Sequence, residues 1–96
     1  TIQFVPLNMR AWHAGESSFK GIKDCNNYSI GIELEGTDCD VYSNEQYESL
    51  IKISRLIIKN YPETNKKSIV GHSDISPGRK TDPGNKFEWR RYLDAL

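Results

Sequence analysis

The sequence predicts one domain of mixed α/β class over residues 1–96, and three segments carry that prediction. Residues 28–35 alternate apolar and polar side chains, as a half-buried strand does. An amphipathic helix is predicted over residues 44–60, and residues 68–72 form a short apolar run typical of a buried strand. Strand, helix and strand in this order are typical of a βαβ unit.

Weaker patterns flank this unit. Residues 2–5 alternate and stop at Pro6, which predicts a short edge strand. Residues 7–27 show no sustained period and predict a long loop of the kind that often has a function. Asn85, with Glu88 three residues later, predicts the start of a last helix.

The central helix has the clearest local signals. Ser43 and Gln46 form a capping-box pattern at its start, and the sequence Asn-Tyr-Pro at 60–62 predicts its end. Between them apolar residues recur at helical spacing, which gives one face wide enough to lie on a sheet. These residues are Tyr47, Leu50, Ile51, Ile57, Ile58 and Tyr61.

Composition limits the possible partners and compartments. Thirteen basic and thirteen acidic residues cancel, so broad electrostatic capture of nucleic acid or an anionic membrane is excluded. No apolar run approaches the roughly 20 residues that span a bilayer. The first residues lack a secretory signal pattern, so we expect a cytoplasmic protein in which Cys25 and Cys39 are free thiols.

His72 lies at the end of a predicted strand, and Asp82 follows in a loop rich in proline and glycine. An imidazole nitrogen and a carboxylate oxygen suit zinc, and Lys80 nearby could stabilise a developing oxyanion. Spacing alone leaves another interpretation open, because a histidine and a loop aspartate often form a simple hydrogen-bonded pair.

Two further groups of residues have the chemistry for a site. Glu33 and Glu35 share one face of the predicted strand with Gly31, and a carboxylate there could act as a general base. A solvated strand face is the alternative. In residues 10–15, Trp12 and His13 could line a cleft for sugar or peptide, or could fix the loop to the core.

Four segments together resemble the zinc N-acetylmuramoyl-L-alanine amidase family, whose fold is shared by peptidoglycan-recognition proteins. They read RAWHAG (10–15), CNNYSIGIELEGTD (25–38), NYP (60–62) and GHSDISPGRKTDPG (71–84). The resemblance implies an α+β fold with a mixed β-sheet flanked by helices. It implies hydrolysis of the amide between (anhydro-)N-acetylmuramic acid and L-alanine of muropeptides, in peptidoglycan recycling in the cytoplasm.

The resemblance also implies roles for individual residues. His72 and Asp82 match two of the family's three zinc ligands, and Glu33 matches its catalytic carboxylate. Lys80 matches the lysine that supports the transition state, whereas Glu35 matches no catalytic role. Trp12, His13 and Lys23 are the residues that we expect to contact the muropeptide.

The family's third zinc ligand is a histidine upstream of the RAWHAG segment. We therefore expect these 96 residues to be the carboxyl-terminal portion of a catalytic domain, with an incomplete zinc site. Two alternatives to an active amidase stay open at this point. The chain could be a muropeptide-binding module without catalytic activity, or an inactive truncated product.

Overall fold

Three helices and one short hairpin make up the regular structure of residues 1–96 in the computed structural model. The arrangement is α+β, as the sequence predicts, with a small antiparallel sheet. Short 3-10 turns at Cys25–Asn27 and Lys66–Ser68 connect the elements. In chain order the elements are β1 (Ser18–Phe19), β2 (Ile22–Lys23), α1 (Asn44–Asn60), α2 (His72–Ile75) and α3 (Trp89–Asp94).

Helix α1 begins and ends where the sequence predicts. Ser43 Oγ accepts a hydrogen bond from Gln46 N at 3.1 Å, and Gln46 Oε1 accepts one from Ser43 N at 2.8 Å. This reciprocal cap satisfies two backbone donors at the helix start. The amide of Tyr61 donates to Ile57 O at 2.8 Å and closes the last turn before Pro62.

The hairpin β1–β2 lies inside the segment for which the sequence predicts only loop. Its strands pair antiparallel, with Ser18 opposite Lys23 and Phe19 opposite Ile22. Lys20 and Gly21 connect them with positive φ angles of 52° and 81°, the combination that a type I′ turn requires. Strands of two residues are too short to show alternation, so the pattern along the sequence could not reveal them.

The three strands predicted from the sequence are not formed. Residues 2–5, 28–35 and 68–72 pair with no other strand, and His72 begins α2 instead of ending a strand. No backbone–backbone hydrogen bond joins residues 29–35 to another segment. Alternation indicates which side chains share a face, but a strand also needs a partner. The predicted βαβ unit is therefore absent from residues 1–96.

The core consists of two small clusters. The first joins α1 to α3, where Ser54 Oγ and Tyr92 Oη share a 2.5 Å hydrogen bond. Helix α3 begins at Trp89, later than predicted, because the backbone of Glu88 is not helical (φ −87°, ψ 79°), and Glu88 N donates to Tyr47 Oη at 2.9 Å. The buried side chains are Tyr47, Leu50, Phe87 and Tyr92 in the first cluster and Ala14, Cys25 and Ile75 in the second.

Both cysteines are free thiols, Cys25 buried and Cys39 exposed. The thiol of Cys25 lies 3.2 Å from Tyr28 Oη. None of the helices combines the length and the apolarity needed to cross a bilayer.

Candidate active site

The loop after α2 returns to the start of that helix and brings Asp82 beside His72. Ser73 N donates to Asp82 O at 3.0 Å, which fixes the returning backbone. A Cβ at Gly71 would lie 2.6 Å from Pro83 Cδ, so only glycine permits this close approach. His72 Nδ1 and Asp82 Oδ2 are 2.6 Å apart, and the carboxylate is the more exposed of the two groups. The two predicted metal ligands are therefore adjacent.

His13 packs against the other side of His72. The two rings stack with centroids 5.5 Å apart, and His13 Nδ1 lies 3.2 Å from His72 Nε2. Burial lowers the pKa of His13, and the neighbouring His72 lowers it further, while the charge of Glu33 acts in the opposite direction. The structure thus places His13 beside a predicted metal ligand, with its ring half-buried.

A groove of about 720 Å³ joins the predicted catalytic residues to this cluster. Glu33 and Lys80 lie in its wall, although they are far apart in the sequence. Glu33 is exposed and takes part in no salt bridge, and neither does Lys80. Leu50, Ile57 and Ile58 of α1 also line the groove. The wall of the groove therefore contains the His72–Asp82 pair together with a carboxylate and an ammonium that form no salt bridge.

Three residues singled out from the sequence lie elsewhere. Trp12 is 79% exposed and stacks with Arg10, whose guanidinium carbon is 4.0 Å from the ring centroid. Lys23 is exposed on β2. Neither side chain lines the groove, so their contact with substrate stays a prediction. Glu35 also lies outside the groove wall.

The chemistry of the donor set fits zinc, but the set is incomplete. Imidazole nitrogen and carboxylate oxygen are both common zinc donors, and His72 and Asp82 already face each other. No three histidine, cysteine, aspartate or glutamate side chains of the chain converge in a way that could hold a metal ion. Catalytic zinc sites use three protein ligands, so His72 and Asp82 alone would form an incomplete set.

Several residues that build this cluster were not predicted from the sequence. Ser29 Oγ lies 2.8 Å from His13 Nε2, and Asn26 Oδ1 accepts from the amide of His13 at 3.1 Å. Arg79 Nη2 donates to Ala14 O and to Glu16 O, the latter at 2.8 Å. A signal existed only for Ser29, because alternation puts it on the same predicted face as Glu33.

Comparison with known proteins gives the same family by its sequence model and by its individual relatives. The family model for N-acetylmuramoyl-L-alanine amidase matches residues 1–85. The chain is 51% identical over 94 residues to the 1,6-anhydro-N-acetylmuramyl-L-alanine amidase AmpD of Haemophilus influenzae, covering 98% of this chain and 51% of that protein. The chain therefore spans about half the length of the curated relatives it matches.

Solved structures agree on the fold. A crystal structure of a selenomethionine AmpD derivative matches with a TM-score of 0.94 and 46% identity, covering 99% of this chain and 52% of that one. AmpDh3 from Pseudomonas aeruginosa, in complex with anhydromuramic pentapeptide, matches with a TM-score of 0.89 and 36% identity, covering 98% of this chain and 40% of that one. The chain belongs to the N-acetylmuramoyl-L-alanine amidase family and has its α+β fold.

Proposed function

We propose that this chain carries catalytic groups of a zinc-dependent amidase that hydrolyses the bond between anhydro-N-acetylmuramic acid and L-alanine in muropeptides. The observation that carries the proposal is that Glu33, Lys80 and the His72–Asp82 pair all line the same groove. The 51% identity to a protein named for this activity supports the choice of substrate. We further propose a role in peptidoglycan recycling, which the anhydro-muropeptide activity named for that relative supports, and a cytoplasmic setting, with which two unpaired thiols agree.

Each groove residue has one task in this reaction. His72 Nδ1 and Asp82 Oδ2 would hold zinc, which supplies a Lewis acid that polarises a carbonyl and eases the deprotonation of water. Glu33 accepts a proton from the attacking water, whose oxygen forms a bond to the lactyl carbonyl carbon. The ammonium of Lys80 stabilises the negative charge that develops on the carbonyl oxygen. Glu33 then returns the proton to the alanine nitrogen as the C–N bond breaks.

The role of Glu33 can be tested against Glu35, which has the same side chain two residues later. We expect Glu33→Gln to slow release of the stem peptide from anhydro-muropeptide by about 10²- to 10⁴-fold, because a positioned base is lost. Glu35→Gln should release peptide at the parent rate, because Glu35 lies outside the groove wall. Mass spectrometry of the released peptide, with zinc present, gives both rates.

The outcome also separates the amidase from the alternatives. Equal activity of the Glu33→Gln variant and the parent would show that this carboxylate is not the base. A muropeptide-binding module is the second candidate, because the chain brings no three metal donors together. Binding of muropeptide without release of peptide would favour that module. Neither binding nor release would favour an inactive product.

A further inference from the structure

A continuous chain of hydrogen-bonding contacts leads from the predicted metal ligands into the second core cluster. From Asp82 Oδ2 it runs 2.6 Å to His72 Nδ1, and from His72 Nε2 it runs 3.2 Å to His13 Nδ1. His13 Nε2 then lies 2.8 Å from Ser29 Oγ, which donates to the carbonyl oxygen of Cys25 at 2.6 Å. Each ring nitrogen in the chain thus has one partner.

The neighbouring residues leave space for the ring of His13 and hold its backbone by hydrogen bonds. A Cβ on Gly31 would lie only 2.4 Å from His13 Cγ, so the ring occupies the space that any side chain would take. The buried Asn26 accepts hydrogen bonds from the amides of His13 and Ala14 at 3.1 and 2.9 Å. Packing at Gly31 therefore restricts the ring of His13, and the hydrogen bond to Asn26 fixes its backbone. This is the environment expected of a residue that orients a neighbouring side chain.

The carbonyl at the end of the chain sets the direction of every hydrogen bond. The Cys25 carbonyl only accepts, so the Ser29 hydroxyl donates to it and accepts from Nε2–H of His13. Nδ1 of a neutral His13 then carries the lone pair and accepts from Nε2–H of His72. A neutral His72 consequently directs the lone pair of Nδ1 at the Asp82 carboxylate.

Two electron-rich atoms that face each other at 2.6 Å need a shared cation, which can be a proton or a metal ion. This direction of the chain therefore prepares His72 Nδ1 and Asp82 Oδ2 to share a metal ion. Histidines that ligate metals are typically oriented by a hydrogen bond from their other ring nitrogen, which fixes the tautomer. In this chain the acceptor of that hydrogen bond is another imidazole instead of the more usual carboxylate or carbonyl.

We propose that His13 is a positioning residue that fixes the ring orientation and tautomer of His72, instead of a residue that contacts the muropeptide. The proposal rests on the proposed function, because it concerns the same zinc pair. It assigns Ser29, Gly31 and Asn26 to the support of His13. His13 thus acts on the reaction through His72 and needs no contact with substrate.

The first test measures zinc affinity by competition with a chromophoric chelator. We expect His13→Ala to weaken zinc binding by about 10- to 100-fold, the usual effect of losing such a partner. His13→Asn should restore most of the affinity, because its amide oxygen can accept from His72 Nε2–H. Phe4→Ala is the control and should bind zinc like the parent, since Phe4 is 88% exposed and lies outside the groove wall. Parent-like affinity of His13→Ala would overturn the proposal.

The second test needs no metal and so does not depend on the amidase assignment. Nitrogen-15 spectra of the metal-free chain report the ring nitrogens of His72 directly. We expect His13→Ala to move the Nε2 resonance of His72 and to speed exchange of its proton, and His13→Asn to reverse both changes. An unchanged Nε2 resonance in His13→Ala would overturn the proposal. Failure of the parent to bind zinc would count against the proposed function alone.

Discussion

At the residue scale, the neighbouring residues Trp12 and His13 have different surroundings. The RAWHAG segment supplies both Trp12 and His13, and the sequence gives them the same expected role. The structure divides them, because Trp12 is exposed and His13 is stacked on His72. The side chains of Trp12 and His13 therefore point in different directions, although the two residues are adjacent. The ring of His13 fits because Gly31 has no side chain in the space that the ring occupies.

The state of His13 leads to a pH dependence of stability. Burial and His72 lower its folded-state pKa below the ordinary 6.5, so the unfolded chain binds more protons below that pH. The contribution of a neutral His13 to stability is therefore complete above pH 6.5 and is lost as the pH falls. With a chelator present, we expect the urea midpoint to fall more between pH 7.5 and 5.5 in the parent than in His13→Asn.

Identical pH slopes in the parent and His13→Asn would contradict this pKa direction. A parent that becomes more stable on acidification, relative to the variant, would contradict it more strongly. The slope of the urea transition provides a control, because an altered slope would indicate a change in the unfolded or folded ensemble instead of in proton binding.

At the element scale, Arg79 joins the segment that carries His13 to the loop that carries Asp82. Its guanidinium donates to the carbonyls of Ala14 and Glu16 and to Ser76 Oγ, the last at 3.1 Å. Ser76 Oγ itself donates to Glu16 O at 2.5 Å. Two stretches about 60 residues apart in sequence are thereby held together without a shared strand.

Replacing this guanidinium should therefore destabilise the fold. We expect Arg79→Lys to lower the free energy of unfolding by about 1–3 kcal/mol, because an ammonium cannot reproduce several hydrogen bonds from one planar group. Arg90→Lys is the matched control and should change stability by less than about 0.5 kcal/mol. The side chain of Arg90 is exposed, and its one ion pair, with Asp94 at 3.6 Å, lies in solvent and contributes little. Urea unfolding measures both, and equal effects would show that Arg79 has no special role.

The elements also show what a sequence can predict. Helix α1 is predicted correctly because its cap and its apolar face depend on residues within one segment. The segment 28–35 is predicted as a strand and is not one, because pairing depends on residues elsewhere in the chain. Its alternation is still informative, since Ser29 and Gly31 contact the same histidine ring. Side-chain direction is a local property, whereas ladder formation is not.

At the scale of the whole molecule, the site lies between two small clusters. Only 12 of the 96 residues are buried, and apolar residues such as Phe4 and Val41 remain 88% and 75% exposed. The family motifs predict which residues form the site, because the catalytic residue types and their order are visible in the sequence. They do not reveal the packing around His13, which depends on the absence of a side chain at Gly31 and on a carbonyl at Cys25.

The measurement that tests the central claim most directly is hydrolysis of anhydro-muropeptide by the zinc-loaded chain in water enriched in oxygen-18. The account predicts release of the stem peptide with a free alanine amine, and one labelled oxygen in the lactyl carboxylate of the sugar product. Removal of zinc by a chelator should abolish the release. Intact muropeptide after incubation, label in the peptide instead of the sugar, or equal release after chelation would contradict the account.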